Sequence, residues 1–269
     1  TPNNNSNSKT TMNRLSTITR ILGRMYHFDA EAALQNSDIQ KLLKNYPDVN
    51  EMEREQFIEE GIFGTYKKYF EFGPRSSKKT DYFHGFIQKQ LETVFLSENG
   101  YETKQEQWVP SNNASGRKKC DIVVYKNEKP YIVLPVKLVM SNCKQNKNNY
   151  YENLTGELTH LKTKNPDLNI IPINIFAGKT PYLNSNKKIT KYENITVKDI
   201  NGYDLLKETY VWQKGWKEPQ PLACELITYI LDVEHQCDVG ELFDKMPSKI
   251  SFNTDTDHRT ILNICSQLI

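Results

Sequence analysis

The stretch from Lys118 to Asn149, KKCDIVVYKNEKPYIVLPVKLVMSNCKQNKNN, constrains the fold more than any other. Two runs rich in Val, Ile, Leu and Tyr flank a short polar turn around NEKP. Their length, β-branched content and turn-forming borders read as two strands joined tightly, hence antiparallel. Behind them, NYYENLTGELTHLK sets Tyr151, Leu154, Leu158 and Leu161 at helical spacing, and NIIPINIFAG supplies a further apolar strand. A strand, a helix and a strand in that order predict a parallel crossover of right-handed sense. Ahead of Lys118, YETKQEQWVP alternates as another antiparallel strand. Before that, DYFHGFIQKQLETVFLSENG reads as a helix with Phe83, Phe86, Ile87, Leu91 and Val94 inward and NG closing it. The middle of the chain is therefore helix, three strands, helix, strand: an α/β fold around a mixed sheet.

The flanks are read less sharply. Residues 1–11 are polar and of low complexity, which predicts a mobile tail. Residues 12–79 read as a helical region, with Leu15, Ile18, Ile21, Leu22 and Met25 on one face and a cap at Ser37. The core spans 80–200. Residues 201–269 read as mainly helical, LACELITYILDVEHQ being the clearest segment, and with VGELFDKM it suggests a packed helix pair rather than a helix-turn-helix. Trp212 and Trp216 read as core or interface anchors.

Composition narrows the function classes. At 37% hydrophobic residues the chain carries enough apolar matter for a core, and a net charge of +2 does not by itself announce a nucleic-acid partner. The five cysteines are scattered without a CxxC pair, so neither a disulfide framework nor a zinc site is expected. No signal peptide and no apolar run of membrane length is visible, so a cytoplasmic protein with no membrane partner is expected. His27, His84, His160, His235 and His258 show no ligand spacing and read as structural.

Two polar residues break the apolar strands. Asp121 opens the second strand, and Lys137 sits near the end of the third, two residues after Pro135. Proline lacks an N–H, so the strand is expected to lie at an edge or to be irregular there. Alone, Asp121 reads as a strand-end cap and Lys137 as an edge charge that snorkels to water. On adjacent strands, an acid and a lysine together read as a site.

Over roughly residues 80–178 the chain resembles the PD-(D/E)xK nuclease superfamily, which includes most type II restriction endonucleases. Asp121 matches the family's aspartate, Val136 the variable position and Lys137 the lysine; Pro135 stands where an acid is usual. The resemblance implies a restriction-endonuclease-like core with helical additions at both ends. It also implies Mg²⁺ held by Asp121 and the Val136 carbonyl, with Lys137 orienting water or steadying negative charge. Three glutamates are candidates for the missing acid: Glu152 and Glu157 on the following helix, and Glu92 on the helix before the sheet. Chain distance favours Glu152; the helical wheel sets Glu157 beside the apolar stripe.

Basic, amide-rich stretches flank this pair. Arg117, Lys118 and Lys119 precede Asp121, and Asn142, Lys144, Gln145 and Lys147 follow Lys137 in what reads as a loop; these are the candidate DNA contacts. A third basic stretch, Asn184 to Tyr192, reads as a solvated loop. The expected function is sequence-specific, Mg²⁺-dependent hydrolysis of double-stranded DNA by a homodimeric type II restriction endonuclease. Another nuclease of this fold (repair, junction-resolving or homing), or a catalytically silent DNA-binding module, are the alternatives.

Overall fold

The computed structural model describes residues 19, 23, 29–37, 49–257 and 259–269. The expected tail over 1–11, the face formed by Leu15, Ile18, Ile21, Leu22 and Met25, most of the segment after Ser37, and His27 and His258 lie outside the described residues.

Helices come first: α1 (Ala30–Leu34), α2 (Val49–Gln56), a π-helical stretch (Phe57–Ile62) that runs into α3 (Phe63–Phe72), and α4 (Lys78–Leu91). β1 (Tyr101–Pro110), β2 (Arg117–Lys126) and β3 (Lys129–Leu134) follow as an antiparallel meander. β4 (Val136–Val139) leads into the 22-residue helix α5 (Cys143–Lys164), and then β5 (Asn169–Ile170) and β6 (Ile173–Ala177). A β7 (Lys179–Leu183) and β8 (Ile189–Asn194) hairpin precedes the short helices α6 (Val197–Ile200) and α7 (Leu205–Glu208). The chain ends with β9 (Tyr210–Val211), β10 (Gln220–Pro221), β11 (Ile227–Glu234), β12 (Lys249–Phe252) and α8 (Ile261–Cys265).

The apolar run YIVLPVKLV is not one strand. It divides at Pro135 into β3, in a sheet of order β1-β2-β3-β5, and β4, in a sheet of order β12-β11-β6-β4. NIIPINIFAG divides likewise at Pro172. The two runs stay parallel and in step through their breaks: Val133 pairs with Ile170, Val136 with Ile173, and Ile171 N–H and Ile173 N–H donate to the carbonyls of Val133 and Pro135. The two prolines therefore face each other, and neither could donate to the ladder. The irregularity expected at Pro135 is present, and the parallel pairing across the helical crossover is as the sequence predicts.

Successive strand residues go to opposite faces, as the period of two requires. Ile122, Val124, Ile132, Leu134, Ile175, Tyr229 and Leu231 pack under the π-helical stretch, α3 and α4 against Phe57, Ile62, Tyr66, Phe83, Ile87 and Leu91. Val123, Val133, Phe176 and Ile230 join Leu158 and Leu161 of α5 on the other side. Helices thus cover both faces of a mixed α/β sheet.

Three expectations are corrected. The C-terminal region is not mainly helical: ITYILDVE is strand β11, parallel to β6 and antiparallel to β12. Leu222, Leu226, Ile227, Ile230 and Leu231 satisfy a helical period, but the β-branched and aromatic residues at 227–233 alternate between two buried faces, and burial in mid-sheet wins. VGELFDKM contains no helix. Trp212 is exposed, which removes the core half of the core-or-interface reading. Finally, SNCKQNKNN is not a loop, because α5 begins at Cys143. Asn142, in the left-handed conformation at φ 51°, starts it; its side chain exchanges hydrogen bonds with both backbone groups of Leu183, and Glu193 accepts from the Lys144 N–H at the helix start.

The helical layer closes through glycine. A Cβ on Gly61 would lie 2.8 Å from the buried Phe86 ring. Gly61→Ala gains at most about 1 kcal/mol of helix propensity but overpacks a filled core at about 1–3 kcal/mol, so overpacking wins. The variant is predicted to shift the urea midpoint down with an unchanged m value; an unchanged or raised midpoint contradicts this packing.

Candidate active site

Asp121 lies where the sheet's hydrogen bonding is interrupted. Ile122 pairs with Leu134, so the next position, Asp121, falls opposite Pro135. On its other side, Gln105 pairs with Ile122 and Gln107 with Cys120, which sets Glu106 opposite Asp121. Glu106 has φ 54°, a left-handed conformation uncommon for a non-glycine residue. Where Pro135 ends the β2–β3 ladder, the Val136 N–H turns instead to the Asp121 side chain, donating to Oδ2 at 2.8 Å. In a parallel ladder alternate residues face the partner strand. Pro135 presents its carbonyl to β6, so Val136 turns both backbone groups away from β6, toward Asp121.

Asp121, Val136 and Lys137 line one cleft of about 320 Å³, with Thr80 and His84 from α4, Tyr150, Asn153 and Glu157 from α5, Asn174 from β6, and Tyr203. The Lys137 ammonium lies 4.2 Å from the centre of the Tyr150 ring and has no ion-pair partner within 4.0 Å among the described residues. Although the residue keeps exposed surface, crowding around its amine lowers its pKa below the usual lysine value, and the Asp121 charge opposes that shift.

One ligand atom each from His84, Glu106 and Asp121 falls within 4.8 Å of the others. Two carboxylates and an imidazole are a donor set that suits a divalent cation. His84 is buried, with Nδ1 3.6 Å from Glu106. Neither residue was distinguished by sequence. Glu106 is one of several polar residues on the outward positions of β1, and His84 follows Phe83 on a helix whose proximity to Asp121 exists only in three dimensions.

The three candidate glutamates separate. Glu157 lines the cleft with Asp121 and Lys137 and pairs with Lys118 at 3.2 Å. Burial raises its carboxyl pKa, Lys118 opposes the rise, and Asp121 adds to it. Glu152, favoured by chain distance, is exposed and lines an adjoining groove of about 440 Å³ with Ser111, Asn113, Lys118 and His160 instead. The two residues lie five apart on α5, which turns Glu152 away from the cleft. Glu92 is exposed at the C-terminus of α4, accepts from the Gln88 side chain, and lines neither space.

The basic candidates are also sorted. Arg117, Lys118 and Lys119 belong to β2 rather than to the preceding loop. Arg117 stacks on exposed Trp108, 4.6 Å from the ring centre, and Lys119 pairs with Glu106 at 2.7 Å. Lys144 is exposed, Lys147 pairs with Asp199 at 3.0 Å, and Gln145 approaches Asn142, whose own role is to fix the start of α5. Lys118 and Lys119 are each about half exposed, so their ion pairs contribute about 0–1 kcal/mol and would yield readily to a cation or phosphate.

Comparison with known protein families, curated proteins and solved structures finds no match for this chain. No helix among the described residues is long and apolar enough to cross a membrane.

The raised pKa of Glu157 gives a prediction. An acid whose native pKa lies above its unfolded value supports folding below the unfolded pKa and loses that support as pH rises through the native one. Glu157→Gln should therefore gain in Tm relative to wild type as pH rises above the ordinary glutamate value of 4.5. A Tm difference that is flat from pH 4 to pH 8 contradicts burial of this carboxylate.

Proposed function

We propose that the chain is a type II restriction endonuclease that hydrolyses phosphodiesters of double-stranded DNA at a short specific sequence, with Mg²⁺ as cofactor. The core, in this reading, is restriction-endonuclease-like. Two copies acting as a homodimer would cut both strands of a palindrome. The observation that carries the reading is the shared cleft of Asp121 and Lys137, with the Val136 backbone turned toward the aspartate.

Asp121, Glu106 and the Val136 carbonyl would hold Mg²⁺, with His84 beside them. The bound ion would supply Lewis acidity and a more acidic water. Lys137 then orients the attacking water or steadies charge on the phosphate. Pro135 removes the usual acid, and Glu106 and Glu157 put carboxylates back from neighbouring elements. This favours an active enzyme over a silent DNA-binding module.

The adjoining groove offers a path for the DNA backbone, since it shares Asn153 and Glu157 with the cleft and carries Lys118 at its edge. Lys118 would meet phosphates along it, with Arg117, Lys119 and Lys144 as phosphate contacts outside the groove, giving binding that weakens steeply with salt. Asn142, committed to the start of α5, drops out as a DNA contact.

A Mg²⁺ digest of plasmid DNA tests the reading. Discrete fragments are expected, with rates about 10²-fold lower or worse for Asp121→Ala and Lys137→Ala and little changed for Glu152→Ala and Glu92→Ala. Cleavage by Asp121→Ala and Lys137→Ala at the wild-type rate, or binding without cleavage by the wild type, contradicts it. Nicking confined to junctions or damaged sites would move the chain to the repair or junction-resolving class.

A further inference from the structure

The cleft is lined by further polar residues that the cation site does not use. Asn174 is 2% exposed and Tyr203 is 4% exposed, yet the Asn174 Nδ2 and the Tyr203 hydroxyl have no hydrogen-bond partner, and both residues line the cleft. A buried polar group left without a partner destabilises a fold, and native structures rarely keep one without a reason. Two of them lining one cleft call for a ligand that completes both.

The chemistry of these residues is one-sided. Asn174 pairs in register with Lys137 across β4 and β6, which sets the amide beside the uncommitted ammonium on one sheet face. The Tyr203 ring is wedged edge-on against Tyr151, 5.5 Å away, and tilted against Phe176, 5.8 Å away, so its hydroxyl has a fixed aim. Burial raises the Tyr203 pKa above that of an ordinary phenol, which keeps the O–H as a donor. An ammonium, an amide N–H and a phenolic O–H all give protons, so they suit a ligand made of anionic oxygens. Lys118 and Lys119, by contrast, already hold carboxylates.

We infer that Asn174, Tyr203 and Lys137 form a phosphate subsite in the cleft that they share with Asp121 and Glu157. This rests on the nuclease reading only in naming the phosphate as one of the bound nucleic acid. Asn174 and Tyr203 are then positioning residues that fix a phosphate while Asp121 and Glu106 hold the cation.

The test uses the full chain with inorganic phosphate as the probe, titrated calorimetrically against a chloride control of equal ionic strength. Wild type is expected to bind phosphate, and Asn174→Leu and Tyr203→Phe to bind it about tenfold more weakly, one lost hydrogen bond each. Without phosphate, Tyr203→Phe should melt no lower than wild type, since it deletes an unpartnered hydroxyl, and this separates loss of binding from loss of fold. Asp121→Asn should bind phosphate at least as tightly as wild type, because a repelling carboxylate is gone. In the plasmid assay Tyr203→Phe should raise KM more than it lowers kcat. No phosphate binding by wild type, or equal binding by wild type and both variants, overturns the subsite. A wild type that binds phosphate but cuts no DNA leaves the subsite standing and removes the nuclease reading, so the two failures are distinct.

Discussion

The hydrogen bond from the Val136 N–H to Asp121 is the contact from which the rest of the site follows. It forms on the side of the strand that faces β2: Pro135 turns its carbonyl to β6, so the Val136 N–H points the other way, to Asp121. The β2–β3 ladder stops at that residue, the strand passes from one sheet to the other, and the next free donor meets a carboxylate instead of a carbonyl. Pro172 repeats the break on the neighbouring strand, so the two bend together and keep their pairing. Glu106, Asp121, Pro135 and Pro172 form one row across the sheet, and along it strand regularity is given up for a site.

This arrangement brings carboxylates close together, which costs energy in the free protein. Lys118 and Lys119 offset the cost by pairing with Glu157 and Glu106. Each pair has a lysine about half exposed and is worth about 1 kcal/mol at most, which makes it exchangeable for a cation on one side and a phosphate on the other. Lys137 is different. It holds no carboxylate, and its amine rests against an aromatic ring in the cleft. Helices on both faces of the sheet keep these groups in place, for Ile122 and Val123, either side of one backbone step, anchor in opposite cores.

Much of the core could be read from the sequence because its signals are local. The β-branched runs, the helical spacing of Leu158 and Leu161 and the N–H missing from Pro135 each act over a few residues. Asp121 and Lys137 stood out because charges in apolar strands are costly. What escaped depended on tertiary context. ITYILDVE satisfies both periods, and only its place between β6 and β12 decides for a strand. Asn-rich SNCKQNKNN hides a helix start that is fixed by Leu183 and Glu193, about 40 and 50 residues downstream. His84, Glu106, Asn174 and Tyr203 come from four separate elements, and no spacing links them. Glu157 rather than Glu152 reaches the cleft because of the rotation of α5, which chain distance does not report.

The central claim is that this row of residues builds one cation site at Asp121. A crystal structure of the chain grown with Mn²⁺ and read by anomalous scattering tests it most directly. The account predicts one peak within coordination distance of Asp121 and Glu106, on the side to which Val136 turns its carbonyl. A peak at Glu152 or Glu92, or none in the cleft at saturating Mn²⁺, would contradict it.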